Sequence, residues 1–184
     1  ASFTANADTF AFIAGGDLWI TDTTLNEPVQ LTKTPYYENN IIFDDARDQI
    51  LFVGEQDGQV DIFRAQRSDK NTPWWRNNDF EISKITDDLE VESGLALSPK
   101  GNYLSYLRRN SGVWILGLAN DNAKSKQVIS SWSSVSYDWA PNELWMTYSA
   151  SDNDFNYDVS VVNIPDPTIR YNISKHPDNE FDPK

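Results

Sequence analysis

One pattern recurs four times along the chain: an apolar anchor, a short turn, and an apolar run ending in an aromatic. It covers Phe3 to Phe12, Phe43 to Phe52, Leu97 to Tyr106 and Trp139 to Tyr148. Phe181-Asp182-Pro183-Lys184 opens a fifth copy in the manner of Leu97-Ser98-Pro99-Lys100, so the anchors are spaced by 40, 54, 42 and 42 residues. A period of about 40 to 45 residues is that of propeller blades, each built from about four antiparallel strands. This spacing predicts a scaffold that presents surfaces rather than a complete enzyme.

The remainder of each period agrees. A second apolar run follows the aromatic, at Asp17-Leu18-Trp19-Ile20, Asp61-Ile62-Phe63, Gly112-Val113-Trp114-Ile115 and Asp158-Val159-Ser160-Val161. Each period then closes on an apolar residue and a hydroxyl: Leu31-Thr32, Ile85-Thr86, Ile129-Ser130 and Ile173-Ser174. These are short β-favouring stretches between polar turns, and no window of a dozen residues sustains helical spacing without a Pro, Gly or Asn-Asp break. The expected fold is all-β, a single propeller segment over residues 1–184. Its repeats fall near 3–42, 43–96 with an insertion near 66–80, 97–138 and 139–180, with 181–184 starting a fifth. The natural neighbour of such a segment is another blade, which predicts an arc of a larger six- or seven-bladed propeller. In isolation the arc should cover its apolar end faces by forming a homodimer.

Composition excludes several partners. With 28 acidic and 15 basic side chains the net charge is −13, which repels a phosphate backbone and an anionic membrane surface alike. Neither nucleic acid nor membrane insertion is expected. The chain has no cysteine, which removes disulfides, thiol nucleophiles and thiolate metal sites but is compatible with either side of a bacterial inner membrane. No stretch approaches 18 consecutive apolar residues, and any targeting peptide would lie upstream of Ala1.

The search for chemistry turns up few candidates. His176 is the sole histidine, and no Gly-x-Ser-x-Gly elbow is present; Asn110-Ser111-Gly112 reads as a hairpin turn. Asp44-Asp45 and Asp87-Asp88 are adjacent loop carboxylates that point apart. No catalytic residue and no cofactor are assigned. Asp152, Asp154, Asn156 and Asp158 place oxygens at alternate positions as a calcium loop does. Tyr157 and Asn163, however, stand where an EF-hand has its glycine and glutamate, and Asp and Asn also cap ordinary hairpin loops. In the long second repeat, Trp74-Trp75-Arg76 forms a candidate recognition surface, combining large contact area with a forked donor. The competing reading is that the tryptophans fold back to cover a blade edge or pack against a neighbouring domain.

The repeats resemble those of TolB and of tricorn-like serine peptidases. Trp74 to Phe80, Thr86-Asp87-Asp88, Asp152 to Asn156 and His176-Pro177-Asp178-Asn179 are similar to the N-terminal propeller region of tricorn-like peptidases. That resemblance spans nearly the whole chain. It implies that a PDZ-like module and a serine peptidase domain follow, and that the segment binds or gates peptide or protein substrate beside the other domains of its parent chain. It also implies a periplasmic or otherwise extracytoplasmic bacterial location. The rival implication is a TolB-like interaction module of the cell envelope; apart from the resemblance, the Trp74-Trp75 pair also admits a lectin-like binder that stacks sugar rings. The sequence departs from the commonest repeat wording at Phe43-Asp44-Asp45-Ala46, which lacks the Pro-Asp-Gly turn, and at Asp158-Val159-Ser160, which lacks the aromatic.

Overall fold

The computed structural model describes residues 3–6, 8–120, 124–151, 157–174 and 178–183. Sixteen strands form four four-stranded antiparallel sheets, and the described residues contain no α-helix, only two single-turn 3₁₀ segments. The first sheet runs β1 (Phe3–Ala5), β2 (Thr9–Ala14), β3 (Asp17–Asp22) and β4 (Val29–Gln30). The second holds β5 (Glu38–Asp44), β6 (Gln49–Gln56), β7 (Gln59–Arg67) and β8 (Phe80–Lys84). The third holds β9 (Glu92–Leu97), β10 (Tyr103–Arg108), β11 (Gly112–Gly117) and β12 (Lys126–Ser130), and the fourth β13 (Val135–Trp139), β14 (Trp145–Ser151), β15 (Tyr157–Asn163) and β16 (Arg170–Asn172). Every strand pairs with its neighbour in sequence, so each sheet is a plain meander. The anchors Leu97 and Trp139 end the first strand of their sheets and Phe43 stands one residue before the end of its own, so a period counted from anchor to anchor begins some five residues inside a sheet.

Local chemistry explains the turns. The hairpin β2–β3 turns on Gly15-Gly16 (φ 66° and 97°) and β6–β7 on Asp57-Gly58 (φ 56° and 82°), which is the backbone that suits the twist of paired strands. In the second, third and fourth sheets the turn after the anchor holds one left-handed residue. Gly101 supplies it in the third sheet (φ 71°) and Glu143 in the fourth (φ 62°). In the second sheet, where Pro and Gly are missing, Asp48 adopts φ 51° and its amide donates to the Asp45 carbonyl at 3.3 Å. The turn survives the altered wording because Asp tolerates this region better than most residues.

The apolar-hydroxyl closers have a specific task in three of the four sheets. The hydroxyl oxygens of Thr32, Thr86 and Ser174 accept from the third-strand amides of Leu18 (2.7 Å), Ile62 (2.8 Å) and Val159 (2.9 Å). The amides of Leu31, Ile85 and Ile173 in turn donate to the carbonyls of those same third-strand residues at 2.8, 2.8 and 2.9 Å. A side chain thus continues the ladder where the fourth strand leaves it, satisfying a buried N–H. The third sheet solves the problem differently: Gly112 pairs with Ser130, and the Ser131 amide donates to the Ser111 carbonyl. The third-strand acids act across to the fourth strand. Asp17 accepts from Gln30 at 2.8 Å, Asp61 from Lys84 at 2.8 Å, and Asp158 from Asn172.

The chain divides into two compact units, residues 1–95 and 96–184, with the division inside β9. In the first, Ala11 and Ile20 of the first sheet join Ile41, Phe43, Ile50, Phe52, Phe63 and Ala65 of the second in one core. In the second unit Val113, Ile115, Val128 and Ile129 join Trp139, Met146 and Val162. Ser105 ties this second core together, accepting from Tyr137 Oη at 3.1 Å and Trp139 Nε1 at 3.0 Å while donating to the Ala96 carbonyl at 3.1 Å. Each core therefore needs two sheets.

Candidate binding surfaces

The insertion of the second repeat is an ordered loop. Asn77 is buried and its Nδ2 is shared among the carbonyls of Asp69 (3.1 Å), Thr72 (2.8 Å) and Pro73 (3.1 Å), while its Oδ1 accepts from the Asp69 amide. Asp69 accepts from Thr72 Oγ1 (2.6 Å) and the Asn71 amide (2.9 Å), and these bonds hold its carboxyl below the usual range. A single 3₁₀ turn over Trp74–Arg76 sits inside this frame.

The structure separates the three candidate residues. Trp74 is only 4% exposed and belongs to the core of the first unit. Its ring stands edge-on to Phe43 at 5.9 Å and stacks on Phe80 at 5.9 Å, and its Nε1 donates to Asp48 Oδ1 at 2.9 Å. Arg67 lies 5.5 Å over the same ring while its guanidinium engages Asp48 and the Thr72 carbonyl. Trp74 is thus no surface anchor. A buried aromatic that finds an apolar core and a partner for its N–H is better placed there than in water. Trp75 is half-buried against that core and Arg76 is exposed. Trp75 borders a hollow of about 270 Å³ shared with Asn6, Asp8 and Thr9, and Arg76 borders another of about 390 Å³.

Of the calcium candidates, Asp152, Asp154 and Asn156 lie outside the described residues, as does His176. Asp158 sits in β15 and accepts from Asn172. The described residues contain no cluster of three His, Asp or Glu side chains able to hold a metal ion. Adjacent acids serve structure: Asp44 is paired with Arg47 at 3.1 Å and accepts from Gln49 at 2.8 Å, and Asp87 is paired with Lys84 at 3.0 Å.

A third hollow, of about 240 Å³, lies in the first unit on the side of the β2–β3 and β6–β7 turns. Its floor is the Phe52 and Phe63 pair, stacked at 5.6 Å, with Gly54 beside them. A side chain at Gly54 would crowd the Phe63 ring, because an added Cβ would lie 3.1 Å from it. One wall is the connection Thr32–Tyr36, fixed by the Tyr36 hydroxyl donating to Asp57 at 3.1 Å; the other includes Glu55, Gln56 and half-exposed Ile82. Glu38 lines the hollow although it is only 5% exposed. Its carboxylate accepts from Thr32 Oγ1 at 3.0 Å and Thr34 Oγ1 at 2.8 Å, both neutral. Burial pushes this carboxyl above the usual glutamate range, outweighing those two bonds, and Asp17 adds to the effect. The sequence reading passed over Glu38. The signal was present as spacing: a glutamate stands six residues after the closing hydroxyl at Thr32/Glu38, Thr86/Glu92 and Ser174/Glu180.

No protein-family model matches the sequence, and no curated protein matches it. Solved structures do match in fold. The tricorn protease superposes over 97% of this chain with a TM-score of 0.73 at 10% identity, and TolB from Acinetobacter baumannii over 95% with 0.65 at 12%. A chain of the mitotic checkpoint complex matches over 96% with 0.59 at 14%. The chain therefore has the fold of the TolB- and tricorn-like propellers. It spans 17% of the tricorn protease chain, 43% of the TolB chain and 51% of the checkpoint chain. Such different host proteins show that the fold alone does not name a function.

Proposed function

We propose that this chain is a non-catalytic propeller segment of an extracytoplasmic tricorn-like serine peptidase, binding or gating peptide for an active site located elsewhere in the parent protein. The observation that supports this reading best is the match to the tricorn protease along 97% of the chain. The hollows beside Trp75 and over Phe52 and Phe63 add concave, solvent-facing sites of side-chain size on a rigid scaffold. Calorimetric and NMR titration of the chain with unstructured casein-derived peptides tests the reading. Saturable binding without hydrolysis is the expected result. Absence of any heat or amide shift at millimolar peptide would overturn the binding role, and turnover abolished by changing His176 would overturn the non-catalytic one.

The second reading is a TolB-like module that binds a protein partner at the cell envelope, favoured by the match to TolB over 95% of the chain. A serine peptidase domain encoded in frame after Lys184 decides for the first reading, and its absence for the second. Among the described residues no helix is long and apolar enough to cross a membrane. Self-association of the isolated chain is part of both readings, and light scattering after size exclusion measures it.

A further inference from the structure

The hollow over Phe52 and Phe63 contains an electrostatic imbalance. Asp44 and Asp61, which are equally buried, have Arg47 and Lys84 as partners. Glu38 has the hydroxyls of Thr32 and Thr34 and its own backbone N–H, all neutral, and among the described residues no cation pairs with it. A carboxylate offers about four lone-pair sites, so with three donors about one remains. An unpaired buried charge is costly, and a cation that reaches it recovers much of that cost.

The surroundings narrow the class of cation. The hollow is smaller than the 300 Å³ or more of a typical small-molecule site and suits one extended side chain. The apolar floor suits an alkyl stem, which long basic side chains lay along apolar surface while the charged head reaches a polar partner. Overall charge points the same way, since −13 draws basic segments toward the chain. We infer that this hollow is a subsite for a lysine or arginine side chain of an extended polypeptide, with Glu38 as the carboxylate that meets its charged head. The inference rests on the peptide-binding reading and gives that reading a preference.

The charged groups around Glu38 set the pH behaviour. Asp17 stands at the start of β3, Lys33 on the connection, Glu55 on β6 and Asp57 on the hairpin tip held by Tyr36; on β8 the lining residue is the apolar Ile82. Lys84 is committed to Asp61 and Asp87. Glu38 is the buried acid in this group, so protonating it removes the attraction.

The test titrates the isotope-labelled 184-residue chain with an acetylated, amidated Gly-Gly-Lys-Gly-Gly peptide, its arginine counterpart and its norleucine counterpart, following the amides of Thr34, Tyr36 and Gly54. The basic peptides should shift these signals saturably, and norleucine should bind about tenfold more weakly, the worth of one charge-assisted hydrogen bond. Glu38→Gln should reduce the lysine peptide to the norleucine level. Should that variant misfold, the native chain supplies the same answer, because lysine affinity must fall as pH drops through the Glu38 titration while norleucine affinity stays flat. Equal binding of lysine and norleucine peptides, or shifts confined to the Trp75 region, would overturn the subsite yet leave peptide binding intact. No shift with any peptide would overturn both.

Discussion

Replacing Trp74 with alanine tests whether the second-repeat loop is built into the core. The side chain is 4% exposed, contacts Phe43 and Phe80, lies under Arg67 and donates to Asp48. Truncating a buried tryptophan costs about 3–5 kcal/mol. The lost N–H bond to Asp48 adds little, because Arg67 still pairs with that carboxylate. In a domain of this length each kcal/mol moves the melting midpoint by about 2–4 °C, so the expected fall is about 6–20 °C. Differential scanning calorimetry of Trp74→Ala beside Arg76→Ala is the assay. Arg76 is exposed, and its removal should change stability by no more than about 0.5 kcal/mol. A Trp74→Ala midpoint within about 3 °C of the parent, accompanied by lost peptide binding, would refute the packing argument and restore the residue to the surface.

Other outcomes follow from the same geometry. Glu143 is buried and accepts from Ser98 Oγ, Asn102 Nδ2 and the amides of Lys100 and Asn102; burial raises its carboxyl, but these bonds outweigh it and leave it below the usual range. Its stabilising contribution is therefore present above the unfolded value of 4.5 and lost as pH falls through the folded one. Glu143→Gln should cost about 1–3 kcal/mol at neutral pH, with the gap closing in acid, as urea unfolding at several pH values would show. Glu38 has the opposite sign: its folded value is raised, so its charged form weakens the fold as pH rises through that value. Glu38→Gln should melt higher than the parent at pH 7 and converge with it in acid, and a lower midpoint at neutral pH would contradict the burial argument. Gly112 has φ 103°, and an added Cβ would stand 2.1 Å from the Ile129 carbonyl oxygen. Gly112→Ala should therefore break the β11–β12 pairing, read as loss of amide protection in β12.

The architecture was legible because repetition averages out local ambiguity. A hydroxyl after an apolar residue means little once, but at Thr32, Thr86 and Ser174 it recurs in register with the third-strand aspartates. Its reason, a hydroxyl standing in for a backbone acceptor, needed the strand ends to be located. Trp74 was ambiguous because its burial depends on Asp48, 26 residues earlier, taking a left-handed turn that brings a carboxylate to the indole N–H. Nothing in the polar wording of Asn71 to Asn78 encodes that meeting. Glu38 was overlooked for the opposite reason: among 28 acidic residues one more glutamate carries no weight until its spacing from Thr32 is compared with Thr86/Glu92.

Hydrogen bonding and apolar burial are completed on different scales in this chain. Each sheet closes its ladders among strands adjacent in sequence, joined in places by two-residue turns, so a ribosome can deliver a finished meander every 40 to 54 residues. The core of each unit, by contrast, takes side chains from two sheets. Between the synthesis of β4 and that of β8 the first sheet can therefore complete its backbone pairing before Ala11, Leu18 and Ile20 have their second-sheet neighbours. Backbone pairing within a sheet is thus a local event, and burial of that sheet's side chains is a later one that waits on its neighbour.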